Sequence, residues 1–269
     1  MDGEPTKRPE PSKYYDYVII GSGQSSLSFA ALMVKAGKTV CILEAHDIPG
    51  GYAHSFKMGD YHFCAEVHYI WGCEPGGAIY AWLKKLGLEK DITFNKYDED
   101  CYDLMAIPGK KVAIPMGYDK LIKNIVDQWP EDEKGIKRFV HILESIDEEV
   151  KSIPNEIKTS MIFKYWYKYP WLLKYRTKTL QDVYDECKLS LEVQTVLAAQ
   201  AGDYMAPPNE LSMLAYNGLF GGYNKGAYYP KKHYKYFVDR IAKFIEDSPG
   251  SDIFYETPVT KINVEGDKV

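Results

Sequence analysis

Residues 16–44 read DYVIIGSGQSSLSFAALMVKAGKTVCILE, and this stretch decides the fold. Asp16 to Gly21 is a short apolar strand that ends in glycine. From Gln24 to Ala36, Leu27, Ala30, Ala31 and Val34 recur at the i, i+3, i+4, i+7 spacing of one helix face, and Gly37 closes the segment. Thr39 to Glu44 is a second apolar strand. Strand, glycine turn, helix and strand in this order predict a βαβ unit whose strands lie parallel.

The turn itself carries chemistry. Gly21-Ser22-Gly23-Gln-Ser25-Ser26 follows a strand and opens a helix, with Ser26 in the third glycine position of the G-x-G-x-x-G pattern. Gly21 permits a tight turn, and Gly23 lets a pyrophosphate approach the backbone. The helix N-terminus then presents unpaired N–H groups and a partial positive charge. Ser26 adds a side chain where close helix–strand packing favours none, so some loosening is expected there. Glu44, at the end of the second strand, can accept hydrogen bonds from ribose hydroxyls, with Ala45 and His46 beside it. A βαβ unit that binds nothing is the alternative reading. Pro49-Gly50-Gly51 by itself is a turn. Read after Glu44, the glycine pair lets the backbone pass close to the second half of a dinucleotide and points to FAD, with Ser55 lining the passage toward the flavin.

Further along, Asp103 to Pro115 reads as a hairpin turning at Pro108-Gly109. Helices are predicted at 118–129, 130–150, 180–187, 190–201, 208–218 and 233–247, with Thr179-x-x-Asp182 as a capping start. Strand character returns at 253–256 and 259–264. The expected organisation is an α/β nucleotide-binding layer, 14–117 with 249–269, interrupted by a mostly helical region, 118–248. A disordered tail, 1–13, precedes it.

Composition sets limits on function. The chain has 269 residues, a net charge of −5, 45% hydrophobic and 26% charged residues, which is a globular composition and argues against nucleic acid as partner. Five Cys, an odd number without Cys-x-x-Cys spacing, argue against a disulfide framework or a structural zinc site. His54, His62, Cys64, Glu66, His68 and Cys73 match no common metal spacing, so no metal ligands and no catalytic residue are assigned. The start has no apolar core and no apolar run reaches bilayer length, which predicts an intracellular protein, cytoplasmic or peripherally membrane-associated. Residues 151–180 hold seven Lys or Arg against one acid, Glu156, and 161–175 hold seven aromatics. Either a packed helical domain with Tyr and Lys tips in water or a membrane-surface contact through 158–178 accounts for this. Tyr, at 23, outnumbers Phe, at 10.

Residues 21–56, GSGQSSLSFAALMVKAGKTVCILEAHDIPGGYAHSF, resemble the FAD-dependent phytoene desaturase, carotenoid isomerase and retinol saturase family. Val67-His-Tyr-Ile70, Ile107-Pro-Gly-Lys110, Ile114-Pro115, Ala201-Gly-Asp-Tyr204 with Pro207-Pro208, Gly226-Ala-Tyr-Tyr-Pro230 and Pro258-Val-Thr-Lys-Ile262 continue the resemblance. It implies a glutathione-reductase-type FAD fold with a helical substrate region, an apolar polyene substrate, and redox or isomerase chemistry at carbon–carbon double bonds. It also implies that Val259 lies against the adenine. Departures stand at Ser25, Ser26, Glu66, Lys231, Lys232 and His233, each adding a side chain where the family has or favours a smaller residue. The family is about twice as long, so the resemblance implies the front half of such an enzyme, with an incomplete sheet at the C-terminus, weak FAD retention and no turnover. Two other expectations stay open: a non-catalytic, partner-binding or membrane-surface relative, and another FAD enzyme such as an amine oxidase relative.

Overall fold

A computed structural model describes residues 13–154, 166–264 and 266. The chain divides into two compact units. One holds the described residues up to Asn95 and from Tyr228 onward; the other spans Lys96–Ala227.

The first unit is built on a three-stranded parallel sheet in the order β1 (Tyr17–Ile20), β2 (Val40–Leu43), β9 (Asp252–Phe254). Tyr17 pairs with Val40 and Ile20 with Leu43; Cys41 pairs with Asp252 and Leu43 with Phe254. Central position explains why β2 reads as a continuous apolar run: Val40, Cys41 and Ile42 are buried. Helix α1 (Gln24–Lys35) connects β1 to β2 and buries Leu27, Ala30 and Ala31, three of the four positions read from its spacing. These pack with Phe237, Val238, Ile241, Ala242 and Ile245 of α9 (His233–Glu246) in one core. Full burial of each leucine, valine, isoleucine or phenylalanine side chain there is worth about 1.5–3 kcal/mol. A hairpin, β3 (Ser55–Met58) and β4 (Tyr61–Cys64), and helix α2 (Ala78–Leu86) follow β2. Strand β5 (Phe94–Lys96) pairs with β8 (Tyr228–Pro230).

The second unit begins with the expected hairpin, β6 (Asp103–Ile107) and β7 (Lys110–Ile114), which turns at Pro108-Gly109 with Gly109 at φ +78°. Helices α3 (Tyr118–Val126), α4 (Glu133–Lys151), α5 (Pro170–Tyr175), α6 (Leu180–Cys187), α7 (Leu191–Ala198) and α8 (Met213–Lys225) follow. Along α4, Ile136, Phe139, Val140, Leu143 and Ile146 form the buried stripe. Thr179 and Asp182 make the capping box at α6: Asp182 N–H donates to Thr179 Oγ1 and Thr179 N–H to Asp182 Oδ2, both at 3.1 Å. Thr179→Ala should therefore cost about 1 kcal/mol, read as a fall in Tm of about 3 °C by differential scanning calorimetry. Part of the tyrosine excess is core. Tyr175, Tyr184 and Tyr216 are fully buried, and Tyr216 donates its hydroxyl to the Leu197 carbonyl at 2.8 Å.

Three expectations differ. The units break at 95/96 and 227/228, not at 117/118 and 248/249, because α9 buries its apolar face on α1. The predicted helix at 208–218 begins only at Met213. Residues 208–212 instead spend carbonyls on the start of α6, with Gln181 N–H on Pro208 O and Leu180 N–H on Leu211 O, both at 2.9 Å. Residues 259–264 form no strand; 260–264 are exposed, with no ladder partner among the described residues. The expected tail lies outside the described residues except Lys13, whose ammonium pairs with Asp252. Residues 155–165 of the aromatic–basic stretch also lie outside them. Among the described residues, no helix is long and apolar enough to cross a membrane.

Candidate functional site

The site lies where β1 hands over to α1. Gly21 takes φ +86° and donates its N–H to the Leu43 carbonyl at 2.8 Å, which ties the turn to β2. Gly23 stands at the N-cap of α1, and its carbonyl accepts Leu27 N–H at 2.9 Å. No side chain caps this end and no acid occupies its first turn, so the amides of Gln24, Ser25 and Ser26 have no partner within the helix.

The two glycine motifs meet. Gly50 bridges Gly23 in parallel register, and Gly50 N–H donates to the Ser22 carbonyl at 2.9 Å. A β-carbon on Gly51 would stand 3.0 Å from the Gly23 α-carbon. Together they shape a cavity of about 480 Å³ lined by Gly23, Gln24, Ser25, Gly50, Gly51, Tyr52, Ala53 and Val67. The Gln24 Nε2 amide is buried with no hydrogen-bond partner among the described residues. An orphaned donor beside an uncapped helix end, in a cradle that a β-carbon would crowd, fits a phosphate-bearing dinucleotide.

Glu44 is held from three directions. Ser22, fully buried, donates its N–H at 2.6 Å and its hydroxyl at 2.5 Å to Glu44 Oε2; His46 N–H donates to Oε1 at 2.8 Å. Partial burial pushes this carboxyl up, but the Ser22 hydroxyl and the His46 and Ser22 amides outweigh it and hold the group below its ordinary value. Glu44 is therefore an anion at neutral pH. Its own backbone continues the sheet edge, donating to Phe254 O at 2.8 Å and accepting Thr257 N–H at 2.7 Å.

Of the predicted residues, Gly21, Ser22, Gly23, Ser25, Ser26, Gly50 and Gly51 gather around one turn, with Ser26 half-buried in α1. Ala45 and His46 are exposed beside Glu44, and Val259 follows the loop that leaves β9. Ser55 is not on this cavity. It sits on β3 with its hydroxyl 3.4 Å from Nδ1 of His233. Sequence reading missed Gln24, Tyr52, Ala53 and Val67 as lining residues. For Gln24, Tyr52 and Ala53 the only signal was position beside the glycines, and for Val67 it was the Val67-His-Tyr-Ile70 stretch of the resemblance.

The chain is similar to known proteins. A family profile described as an NAD(P)-binding Rossmann-like domain matches residues 19–86. The all-trans-retinol 13,14-reductase of Danio rerio is 26% identical over 259 residues, covering 92% of this chain and 42% of that protein. The chloroplastic prolycopene isomerase 1 of an Oncidium hybrid cultivar is 24% identical over 285 residues, covering 99% of this chain and 46% of that protein. A solved structure of a putrescine oxidase triple mutant, from a redesign of its cofactor binding, superposes with a TM-score of 0.59 at 18% identity, over 91% of this chain and 51% of that one. The chain spans less than half the length of these two curated relatives. Its first unit is a Rossmann-like α/β domain, and the chain is a homologue of the all-trans-retinol 13,14-reductases and prolycopene isomerases.

Proposed function

We propose that the chain binds FAD and serves a flavin-dependent oxidoreductase acting on carbon–carbon double bonds of an apolar polyene. The observation that carries the FAD reading is the Gly23–Gly50 contact. It sets an uncapped helix end, the orphaned Gln24 amide and the Gly50-Gly51 backbone around one cavity. In this reading the amides of α1 and Gln24 hold the pyrophosphate, and Glu44 accepts a ribose hydroxyl. Ala45 and His46 flank the ribose, and Val259 borders the adenine. Bound FAD would supply the hydride acceptor or donor; the residues named here bind and orient it. The polyene is supported by the two curated relatives, whose names specify retinol and prolycopene. Lipid contact through 158–178 belongs to the same reading, supported by the exposed Tyr167 and the basic surroundings of the stretch.

The test is direct. The purified chain, titrated with FAD at equilibrium, is expected to quench the fluorescence of the added flavin and to perturb its visible absorption band. Folded protein that leaves flavin fluorescence unchanged would refute the reading. Product analysis with retinol, a carotenoid and an amine then separates the polyene reading from an amine oxidase.

A further inference from the structure

The first unit holds a second cavity, of about 320 Å³, lined by His62, Lys232, His233, Lys235, Tyr236 and Asp239. His62 comes from β4 and the others from the start of α9 and the residue before it. His233 takes φ +74°, a backbone conformation that glycine enters freely and a residue with a β-carbon seldom does. Strain of this kind persists where a side chain is wanted in that place.

The ring of His233 is held in one orientation. Its Nδ1 accepts Lys235 N–H at 3.2 Å, with the Ser55 hydroxyl 3.4 Å from the same nitrogen. The neutral ring then carries its proton on Nε2, the donor left for a ligand. The His62 ring lies 6.5 Å away, centroid to centroid. Strand register pairs Lys57 with His62, which puts both on the same face of the hairpin.

The charges that face this pair are Lys57 on β3, Lys232, Lys235 and Asp239 at the start of α9, and Asp91 from the loop after α2. Both acids are engaged: Asp239 with Lys235 at 2.5 Å, and Asp91 with Arg240 and the Tyr236 hydroxyl. Lys232 lies 4.0 Å from Asp91 and 4.2 Å over the Tyr236 ring. Basic groups therefore outnumber acids around two imidazoles, in a chain whose overall charge is −5. Burial and the neighbouring His62 both push His233 toward its neutral form. An anion between the rings reverses that preference. Among the described residues, no group of three or more His, Cys, Asp or Glu could hold a metal ion, so a cation is not the expected occupant.

We propose that this cavity binds a phosphate oxyanion, either free phosphate or a monoester headgroup, between His62 and His233. The site is separate from the glycine turn and does not rest on flavin binding. Its test follows the imidazole resonances of His62 and His233 by NMR in the whole chain. One arm adds inorganic phosphate. The other adds phosphatidylcholine vesicles with and without phosphatidic acid. Both histidine signals are expected to shift together and saturate, with about tenfold tighter binding at about pH 6 than at about pH 8. His62→Ala should weaken binding about tenfold. His233→Asn should do the same while leaving Tm unchanged, because Asn tolerates left-handed backbone and removes only the titrating ring. Saturation in the phosphate arm identifies a soluble ligand, and saturation with phosphatidic acid alone identifies a headgroup. A silent result in both arms, or a response that survives both substitutions, overturns the proposal.

Discussion

Gly50→Ala is expected to destabilise the chain by about 2–4 kcal/mol and to abolish dinucleotide binding. Two costs add. Gly50 sits at φ +121°, a region that side-chain-bearing residues seldom enter, and holding alanine there costs about 1–3 kcal/mol. Its β-carbon would also lie 3.1 Å from His54 N, 3.2 Å from His54 Cα and 3.1 Å from Val238 Cγ1. The valine methyl can rotate. The His54 backbone cannot yield easily, because Ala53 N–H on Gly50 O and His54 N–H on Gly51 O close that turn at 3.1 and 3.0 Å. Any shift would pull on the Gly50–Ser22 bond and so on the phosphate turn. Differential scanning fluorimetry should show a fall of roughly 6–12 °C. Gly23→Ala is the contrasting case. A β-carbon there meets nothing within 4 Å, and the residue already sits at φ −64°. Tm should hold while flavin affinity falls, because the added methyl projects where the pyrophosphate approaches. Equal losses of Tm in the two variants would show that both glycines serve the fold alone.

That contrast marks what the sequence could and could not reveal. The strand–turn–helix–strand segment was legible because every cue is local: apolar runs, helical spacing and two glycines in order. The same holds for the hairpin at Pro108-Gly109 and the capping box at Thr179. The contact between Gly23 and Gly50 was not legible, since it joins residues that no local rule relates. Nor did amphipathic spacing in α9 say which core it would join, and its placement on α1 moved the unit boundaries. Ser55 illustrates the limit at the scale of one side chain. Its position after the glycine pair suggested the cofactor passage, yet strand alternation turns it toward His233. The tyrosine excess gave no sign of which rings would be buried, and Tyr175, Tyr184 and Tyr216 are buried and packed. Residues 259–264 carry β-branched character without a partner strand among the described residues, and propensity alone does not make a ladder.

Glu44→Gln is expected to weaken FAD binding about 10–100-fold, the equivalent of losing about 1.5–3 kcal/mol of charge-assisted hydrogen bonding. A carboxylate accepts about four hydrogen bonds. Ser22 N–H, Ser22 Oγ–H and His46 N–H already take three of these places, leaving one for a ribose hydroxyl. Glutamine keeps the length but replaces one acceptor oxygen with a donor nitrogen. That nitrogen must then face either the two Ser22 donors or His46 N–H. The acid limb supplies an independent check. Because the folded-state carboxyl is held below its ordinary value, its contribution to stability is fully present above the unfolded value and is lost as pH falls through the depressed one, and the acceptor offered to the ribose is lost with the same protonation. Flavin affinity should therefore be level around neutral pH and decline only once pH falls below the ordinary range of a glutamate, as the carboxylate protonates. Glu44→Gln should flatten that decline, since no carboxylate remains to protonate. Ser22→Ala, which removes the hydroxyl donor and keeps the amide, should move the decline to higher pH. Titration of flavin fluorescence across this range would read all three. A native profile that matches Glu44→Gln at every pH would place the ribose elsewhere.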